Sequence, residues 1–135
     1  MGKPTKTDVL IVGAGHAGAA LACALRQKGF VGSIVVANDE AHPPYERPPL
    51  SKASLLGTVT IEKLLLRAPD FWKRENIDVL TGCTVTAIDP ERHTAKLENG
   101  RLVRFTWCVL ATGGRARALD CPGASLPGIH RLRTL

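Results

Sequence analysis

The apolar positions of the first forty residues predict a strand, a helix and a second strand. Residues 8–12 form a short apolar run that ends at a glycine, which indicates a buried parallel strand. Small and apolar residues continue from 15 to 28 and Gly29 follows them, so a helix is expected there. Residues 33–37 are a second buried strand by the same criterion. This order is a βαβ unit, for which a right-handed crossover is expected.

The next segment has a different pattern. Residues 38–49 are rich in proline and fit neither a helix nor a central strand, so an extended excursion is expected. Residues 68–76 predict a short helix that packs through Phe71 and Trp72. Residues 77–80 are apolar enough for a third parallel strand.

The last third of the chain predicts an antiparallel meander followed by one more parallel strand. The meander strands are expected at 85–89, 94–98 and 102–105, and the pair Asn99-Gly100 is a tight-turn signal between the last two. Residues 107–111 are apolar again and predict a buried parallel strand. The prolines and glycines after Cys121 indicate a connection leading out of the domain. The fold class is therefore α/β, with a Rossmann-like βαβ unit, a parallel sheet and a three-stranded β-meander.

Length and composition narrow the class of protein. The chain has 135 residues, 44% hydrophobic and 22% charged, which is typical of one globular domain. No apolar run is long enough to span a membrane, and the short polar start leaves no room for a secretory signal, so a cytoplasmic protein is expected. The four cysteines form no C-x-x-C pair, which argues against a zinc site and a disulfide framework and favours structural thiols, Cys23 and Cys108 being buried.

The net charge of +6 has two interpretations. Much of the excess is late in the chain, at Arg115, Arg117, Arg131 and Arg133, and the ordinary interpretation of such a run is a solvated surface. The alternative is a surface that docks an acidic partner. Aromatic residues are only 4% of the chain, which argues against a nucleic-acid platform.

A glycine-rich loop lies between the first strand and the helix. Its residues are Gly13, Ala14, Gly15, His16, Ala17 and Gly18, which fit the pattern G-x-G-x-x-G. In a strand–loop–helix context the first glycine makes a tight turn, the second lets the backbone approach a pyrophosphate and the third allows close helix–strand packing. We therefore predict a dinucleotide-binding loop, with His16 as a loop contact rather than a catalytic group.

Two other groups are expected beside this loop. Asp39, or its neighbour Glu40, follows the second strand, where a carboxylate accepts hydrogen bonds from the adenosine ribose. Farther along, the proline-stiffened segment 43–52 brings back Arg47, which can neutralise pyrophosphate, and Lys52, which can reach a more distant electron-rich group. These features predict an adenine dinucleotide but leave FAD and a nicotinamide nucleotide both open.

The strings Tyr45-Glu46-Arg47-Pro48-Pro49-Leu50-Ser51-Lys52 and Ala111-Thr112-Gly113-Gly114-Arg115 resemble the FAD-dependent ferredoxin reductases of oxygenase systems, a family that includes putidaredoxin and rubredoxin reductases. The resemblance runs from about residue 7 to the end and implies an FAD site. Its matching residues are Gly13, Ala14, Gly15, His16, Ala17, Gly18, Asp39, Arg47, Lys52, Val85, Ala111, Thr112 and Gly113. By this resemblance the Val85 backbone meets the adenine, and the glycine-rich turn at 111–114 passes beside the flavin.

The resemblance implies that the chain is the FAD-binding portion of an NAD(P)H:ferredoxin-type oxidoreductase. Such an enzyme passes electrons from a nicotinamide cofactor through FAD to a small iron–sulfur protein. Disulfide reductases of the same superfamily carry a cysteine pair after the second strand, and residues 41–57 contain no cysteine. The alternative is a non-enzymatic adenine-dinucleotide binding module.

Family members continue into an NAD domain and a C-terminal domain, so we expect residues 1–135 to be the N-terminal part of the FAD-binding domain. No catalytic residue or metal site is assigned on them. We also expect weak FAD retention, an unpaired Lys52 turned to solvent, and self-association through an exposed sheet edge.

Overall fold

The βαβ unit predicted at the start of the chain is present. In the computed structural model, which describes residues 5–135, strand β1 is Thr5–Val12, helix α1 is His16–Gln27 and strand β2 is Ile34–Ala37. The two strands pair in parallel. Gly15 and Lys28 cap the helix, so the predicted order and the helix boundaries are confirmed. Strand β1 begins three residues before the predicted start at residue 8, and β2 begins one residue after the predicted start at residue 33.

The remaining strands complete one mixed sheet. They are β3 (Ile77–Leu80), β4 (Val85–Asp89), β5 (Thr94–Leu97) and β6 (Leu102–Leu110). The strand order is β3-β2-β1-β6-β5-β4. β3, β2, β1 and β6 pair in parallel, whereas β4, β5 and the first part of β6 pair antiparallel. The α/β class, with a parallel sheet and an antiparallel meander, is confirmed.

The two strands predicted at 102–105 and 107–111 are a single strand. β6 pairs with β1 along its length, from Val103 to Leu110. Its first residues also pair with β5, where Lys96 lies opposite Leu102. Thr106, which separates the two apolar runs in the sequence, is simply an exposed position within an unbroken strand. The prediction of two strands was therefore wrong, because one polar residue does not interrupt an extended backbone.

The last part of β6 is also not buried. Trp107 is 68% exposed and Leu110 is 67% exposed. The pairing with β5 ends before Thr106, and beyond that point one edge of β6 has no strand partner among residues 5–135. The prediction of a buried parallel strand was right about its direction and wrong about its burial, because apolar composition does not report which neighbours cover a strand.

The short helices differ from the predictions. Helix α2 (Ile61–Leu64) was not predicted, and helix α3 (Phe71–Arg74) is shorter than the predicted segment 68–76. A 3-10 helix at Pro48–Ser51 lies partly in the proline-rich segment that was expected to exclude helix. That expectation was wrong for the first turn of a helix, where the missing N–H of proline costs no hydrogen bond.

Two apolar clusters cover the two faces of the sheet. Val9 and Ile11 of β1 pack with residues of α1 and with Trp72 of α3. Leu10 belongs to the other cluster, with Ala95 and other meander residues. The helices and the meander thus cover opposite faces, which leaves the carboxyl ends of β1, β2 and β6 together at one edge of the sheet.

All four cysteines are free, and Cys23 is buried in α1 as predicted. Cys108 is only half-buried, because the covering of β6 is incomplete, and this burial still raises the pKa of its thiol. Within residues 5–135 no three His, Cys, Asp or Glu side chains form a group that could hold a metal ion. None of the helices in this range has the length and hydropathy that crossing a bilayer requires.

Candidate functional site

Two glycines at this point of the fold are required by the fold itself: Gly13 in the loop between β1 and α1, and Gly18 in the first turn of α1. Gly13 has a φ of +105°, where an L side chain is strained. A Cβ on Gly13 would also overlap the carbonyl oxygen of Ala111, and a Cβ on Gly18 would overlap the carbonyl oxygen of Gly13. These two positions let β1, α1 and the end of β6 approach one another closely.

The protein by itself does not require glycine at position 15. Gly15 has a φ of −69°, and a Cβ there would have no atom within 4 Å. Gly15 is the N-cap residue of α1, and no side chain caps the helix there. The first turn of α1 also contains no acidic residue. The N–H groups and the positive end of the helix dipole are therefore available to an anion.

A cavity opens next to this loop, and we call it the phosphate-loop cavity. Its volume is about 430 Å³, within the range of small-molecule sites. Its lining residues are Gly13, Ala14, Gly15, His16, Ala17, Asn38, Asp39, Arg47, Leu110, Ala111, Thr112, Gly113 and Arg133. Most of them follow the carboxyl ends of β1, β2 and β6. This is the edge of an open α/β sheet at which ligand crevices form.

Most of the predicted binding residues therefore meet in one place, and four do not line the cavity: Gly18, Glu40, Lys52 and Val85. Gly18 is buried below the loop, against Gly13. Lys52 is exposed after the 3-10 helix, and Val85 is half-buried at the start of β4 in the meander cluster. The roles of Lys52 and Val85 stay predictions.

Of the two acids that sequence analysis left open, Asp39 is the free one. It is exposed, lines the cavity, and its carboxylate has no hydrogen bond or ion pair with the residues that the structure describes. Glu40 is already engaged: it accepts a hydrogen bond from Arg47 at 2.5 Å and another from the Tyr45 hydroxyl. A ribose placed here would therefore meet Asp39.

Arg47 is held on one side and open on the other. Its Nη2 donates to Glu40, and its Nη1 donates to the backbone oxygen of Arg133 at 2.8 Å and, more weakly, to the Tyr45 hydroxyl. A guanidinium has five N–H groups, so these contacts leave the Nε–H and one Nη2–H. Arg47 lines the cavity, where those donors suit a phosphate.

Arg133 was not among the predicted site residues. It was expected to belong to a solvated basic surface, and it is exposed as that interpretation requires, yet it also lines the phosphate-loop cavity. An adjoining cavity of about 460 Å³ brings Arg115 and Arg131 beside the same site. The only signal in the sequence was the excess of arginine in this segment, and it carries no information about which of them folds back.

Comparison with known proteins identifies the family. A family model described as pyridine nucleotide-disulphide oxidoreductase matches residues 7–135. The chain belongs to this family. It is 45% identical over 130 residues to a ferredoxin–NAD(P)(+) reductase of Sphingomonas sp, an alignment that covers 96% of this chain and 31% of the relative. It is 41% identical over 128 residues to putidaredoxin reductase of Pseudomonas putida, covering 95% of this chain and 30% of the relative.

Solved structures agree with the sequence matches. The ferredoxin reductase of the CYP199A2 system from Rhodopseudomonas palustris superposes with a TM-score of 0.87 at 43% identity, over 94% of this chain and 31% of that one. The reductase in a covalent putidaredoxin reductase–putidaredoxin complex superposes with a TM-score of 0.80 at 44% identity, over 88% and 28%. The predicted resemblance to ferredoxin reductases is confirmed. The chain spans about a third of the length of the curated relatives it matches.

Proposed function

We propose that this chain is the FAD-binding part of an NAD(P)H:ferredoxin-type oxidoreductase, and that the phosphate-loop cavity holds the ADP half of FAD. The observation that carries the proposal is Gly15. No contact within the protein demands glycine there, yet the position opens onto a cavity that also contains a free carboxylate and an arginine with unused donors. An adenine dinucleotide accounts for all three features together.

Each group in the cavity suits one part of ADP. The backbone around Gly15 and the start of α1 face the pyrophosphate, and Arg47 and Arg133 supply positive charge to it. Asp39 accepts hydrogen bonds from the ribose hydroxyls. Thr112 and its neighbours in the turn after β6 lie toward the flavin half.

Bound FAD would supply the chemistry that links a hydride donor to a one-electron acceptor. The role of this chain's residues is to bind and orient the nucleotide. Under this proposal residues 1–135 are the N-terminal part of the FAD-binding domain, Val85 lies toward the adenine and Lys52 toward the flavin ring. The NAD(P)H site then belongs to the part of the relatives that this chain does not match.

The proposed electron acceptor is a ferredoxin or a similar small iron–sulfur protein. The names of the matched relatives support this acceptor, since they include ferredoxin reductases and putidaredoxin reductase. A solved neighbour is itself a complex of a reductase with putidaredoxin.

A comparison of FAD with FMN tests the cofactor. Because the contacts address the adenosine and pyrophosphate, the chain should bind FAD and ADP and discriminate against FMN. Asp39→Ala should weaken FAD binding by about 1–3 kcal/mol, the scale for an unsatisfied polar partner. Glu98→Ala, which removes an exposed carboxylate from the turn between β5 and β6, is the matched control. Equal affinity for FMN and FAD would contradict the proposal.

The second candidate is an adenine-dinucleotide binding module without flavin chemistry. Two observations favour it. The residues that line the cavity suit ADP, which NAD and FAD have in common, and Lys52, which was expected to reach the flavin, does not line the cavity. Competition between NAD and FAD separates the two functions. A preference for FAD supports the reductase, and equal affinities support the module.

A further inference from the structure

Arg47 is fixed by groups from separate parts of the chain. Glu40 follows β2, Tyr45 lies in the excursion, and the backbone oxygen of Arg133 comes from a segment 86 positions farther along the chain. The side chains of the ion pair are largely shielded, at 23% exposure for Arg47 and 14% for Glu40. This arrangement is more extensive than a surface ion pair, which usually contributes little.

Tyr45 connects the same group to the end of the chain. Its ring is buried, and its hydroxyl donates to Glu40 while accepting from the backbone N–H of Leu135 at 3.2 Å. The guanidinium of Arg47 also lies over the Tyr45 ring, 5.3 Å from its centre. The tyrosine thus limits Glu40 and Arg47 to one relative placement.

We propose that Glu40 and Tyr45 are positioning residues, which fix the guanidinium of Arg47 against the pyrophosphate of the bound nucleotide and do not contact the nucleotide themselves. The inference rests on the proposed function of the phosphate-loop cavity. Both carboxylate oxygens of Glu40 are already acceptors within the protein, so Glu40 has no need of a ribose partner. A long arginine side chain that is fixed beforehand loses less rotamer freedom when it binds a phosphate.

Simple electrostatics and positioning predict opposite results when Glu40 is replaced. Glu40→Ala removes a negative charge beside an anion site, which by charge alone should tighten ADP binding. If Glu40 positions Arg47, the same substitution should weaken it. The sign of the change therefore distinguishes the two explanations.

The experiment titrates the 135-residue chain with ADP and with adenosine, and follows binding by ¹H–¹⁵N NMR, which reaches weak affinities. In Glu40→Ala, ADP affinity should fall roughly tenfold, the scale of a charge-assisted hydrogen bond, while adenosine affinity is unchanged. Arg47→Ala should give the same loss, and the double variant should lose no more than either single variant. Glu98→Ala is the charge-matched control and should leave both affinities unchanged.

Tyr45→Phe provides a second variant that keeps the buried ring and removes only the hydroxyl. It should also lower the ratio of ADP to adenosine affinity. Tyr45 is the only tyrosine in the sequence, so the near-ultraviolet titration of its phenol can be assigned without ambiguity. Its pKa is raised by burial and by the hydrogen bond to Glu40, so in Glu40→Ala this pKa should fall.

Three outcomes overturn the inference while leaving the proposed function intact. They are tighter ADP binding in Glu40→Ala, an equal loss of ADP and adenosine affinity, which would place Glu40 on the ribose, and a tyrosine pKa that does not move. If the unmodified chain binds ADP no better than adenosine, the proposed function fails as well. The unmodified chain is therefore the measurement that separates the two failures.

Discussion

Replacing Gly15 and Gly18 separately with alanine distinguishes the binding role of the glycine loop from its folding role. At Gly15 a methyl group meets no protein atom and φ is already ordinary, so no strain is introduced. Alanine is a poorer N-cap than glycine, which lowers the free energy of unfolding by a few tenths of a kcal/mol or more. Alanine also restricts the unfolded chain more than glycine does, which raises the free energy of unfolding by about 0.4–1 kcal/mol. The free energy of unfolding should therefore change by less than about 1 kcal/mol.

At Gly18 the two local effects have opposite signs. Alanine in a helix interior is favoured over glycine by about 1 kcal/mol. The new methyl group, however, would overlap the carbonyl oxygen of Gly13, which is backbone and cannot rotate away. Overpacking costs about 1–3 kcal/mol in ordinary cores, and this overlap is closer than those. We expect a net loss of at least about 1–2 kcal/mol.

Urea unfolding followed by tryptophan fluorescence measures both effects, because Trp72 is buried against the same cluster as α1. Binding is measured by titration with ADP. Gly15→Ala should keep its stability and lose at least about tenfold in ADP affinity, since the methyl group occupies the approach of the pyrophosphate. The reasoning is refuted if Gly15→Ala binds ADP normally, or if Gly18→Ala is more stable than the unmodified chain.

Three further predictions concern activity, pH and association. The 135-residue chain alone should show negligible NADH-dependent reduction of ferricyanide. Hydride transfer needs a nicotinamide held about 3–3.5 Å from the flavin, and the sequence has a single G-x-G-x-x-G loop. Robust turnover of NADH by this chain would contradict the prediction. Hydrogen bonds from Ser33 lower the pKa of Asp8, so the contribution of the Asp8 carboxylate to stability is present above the ordinary pKa of aspartate and is lost as the pH falls through the lowered pKa. The difference in unfolding free energy between Asp8→Asn and the unmodified chain should therefore be smaller below the lowered pKa than at neutral pH, which acid unfolding curves measure. The isolated chain should retain FAD weakly and should self-associate through the free edge of β6. Sedimentation should detect this self-association, and Trp107→Lys should reduce it. A yellow monomer that holds stoichiometric FAD at every protein concentration would refute both expectations.

The parts of the site that could be predicted are those encoded by neighbouring residues. The loop from Gly13 to Gly18 is recognisable because its glycines, the strand before it and the helix after it are contiguous in the sequence. Asp39 could be placed because it lies two residues after the end of a strand, and the carboxyl ends of parallel strands meet at one edge of a sheet. The choice between Asp39 and Glu40 could not be made, since it depends on which acid Arg47 reaches.

The sequence by itself determined the βαβ unit, the third strand, the meander turn at Gly100 and the resemblance to ferredoxin reductases, because periodicity, turn residues and short motifs are local properties of the chain. Only the tertiary structure decided that β6 is one strand with an exposed end, that Arg133 returns to the cavity, and that Glu40 is bound to Arg47 and Tyr45. These features depend on contacts between segments far apart in the chain. A local pattern states how a residue is disposed within its own strand or helix, and the packing of distant segments decides what that residue meets.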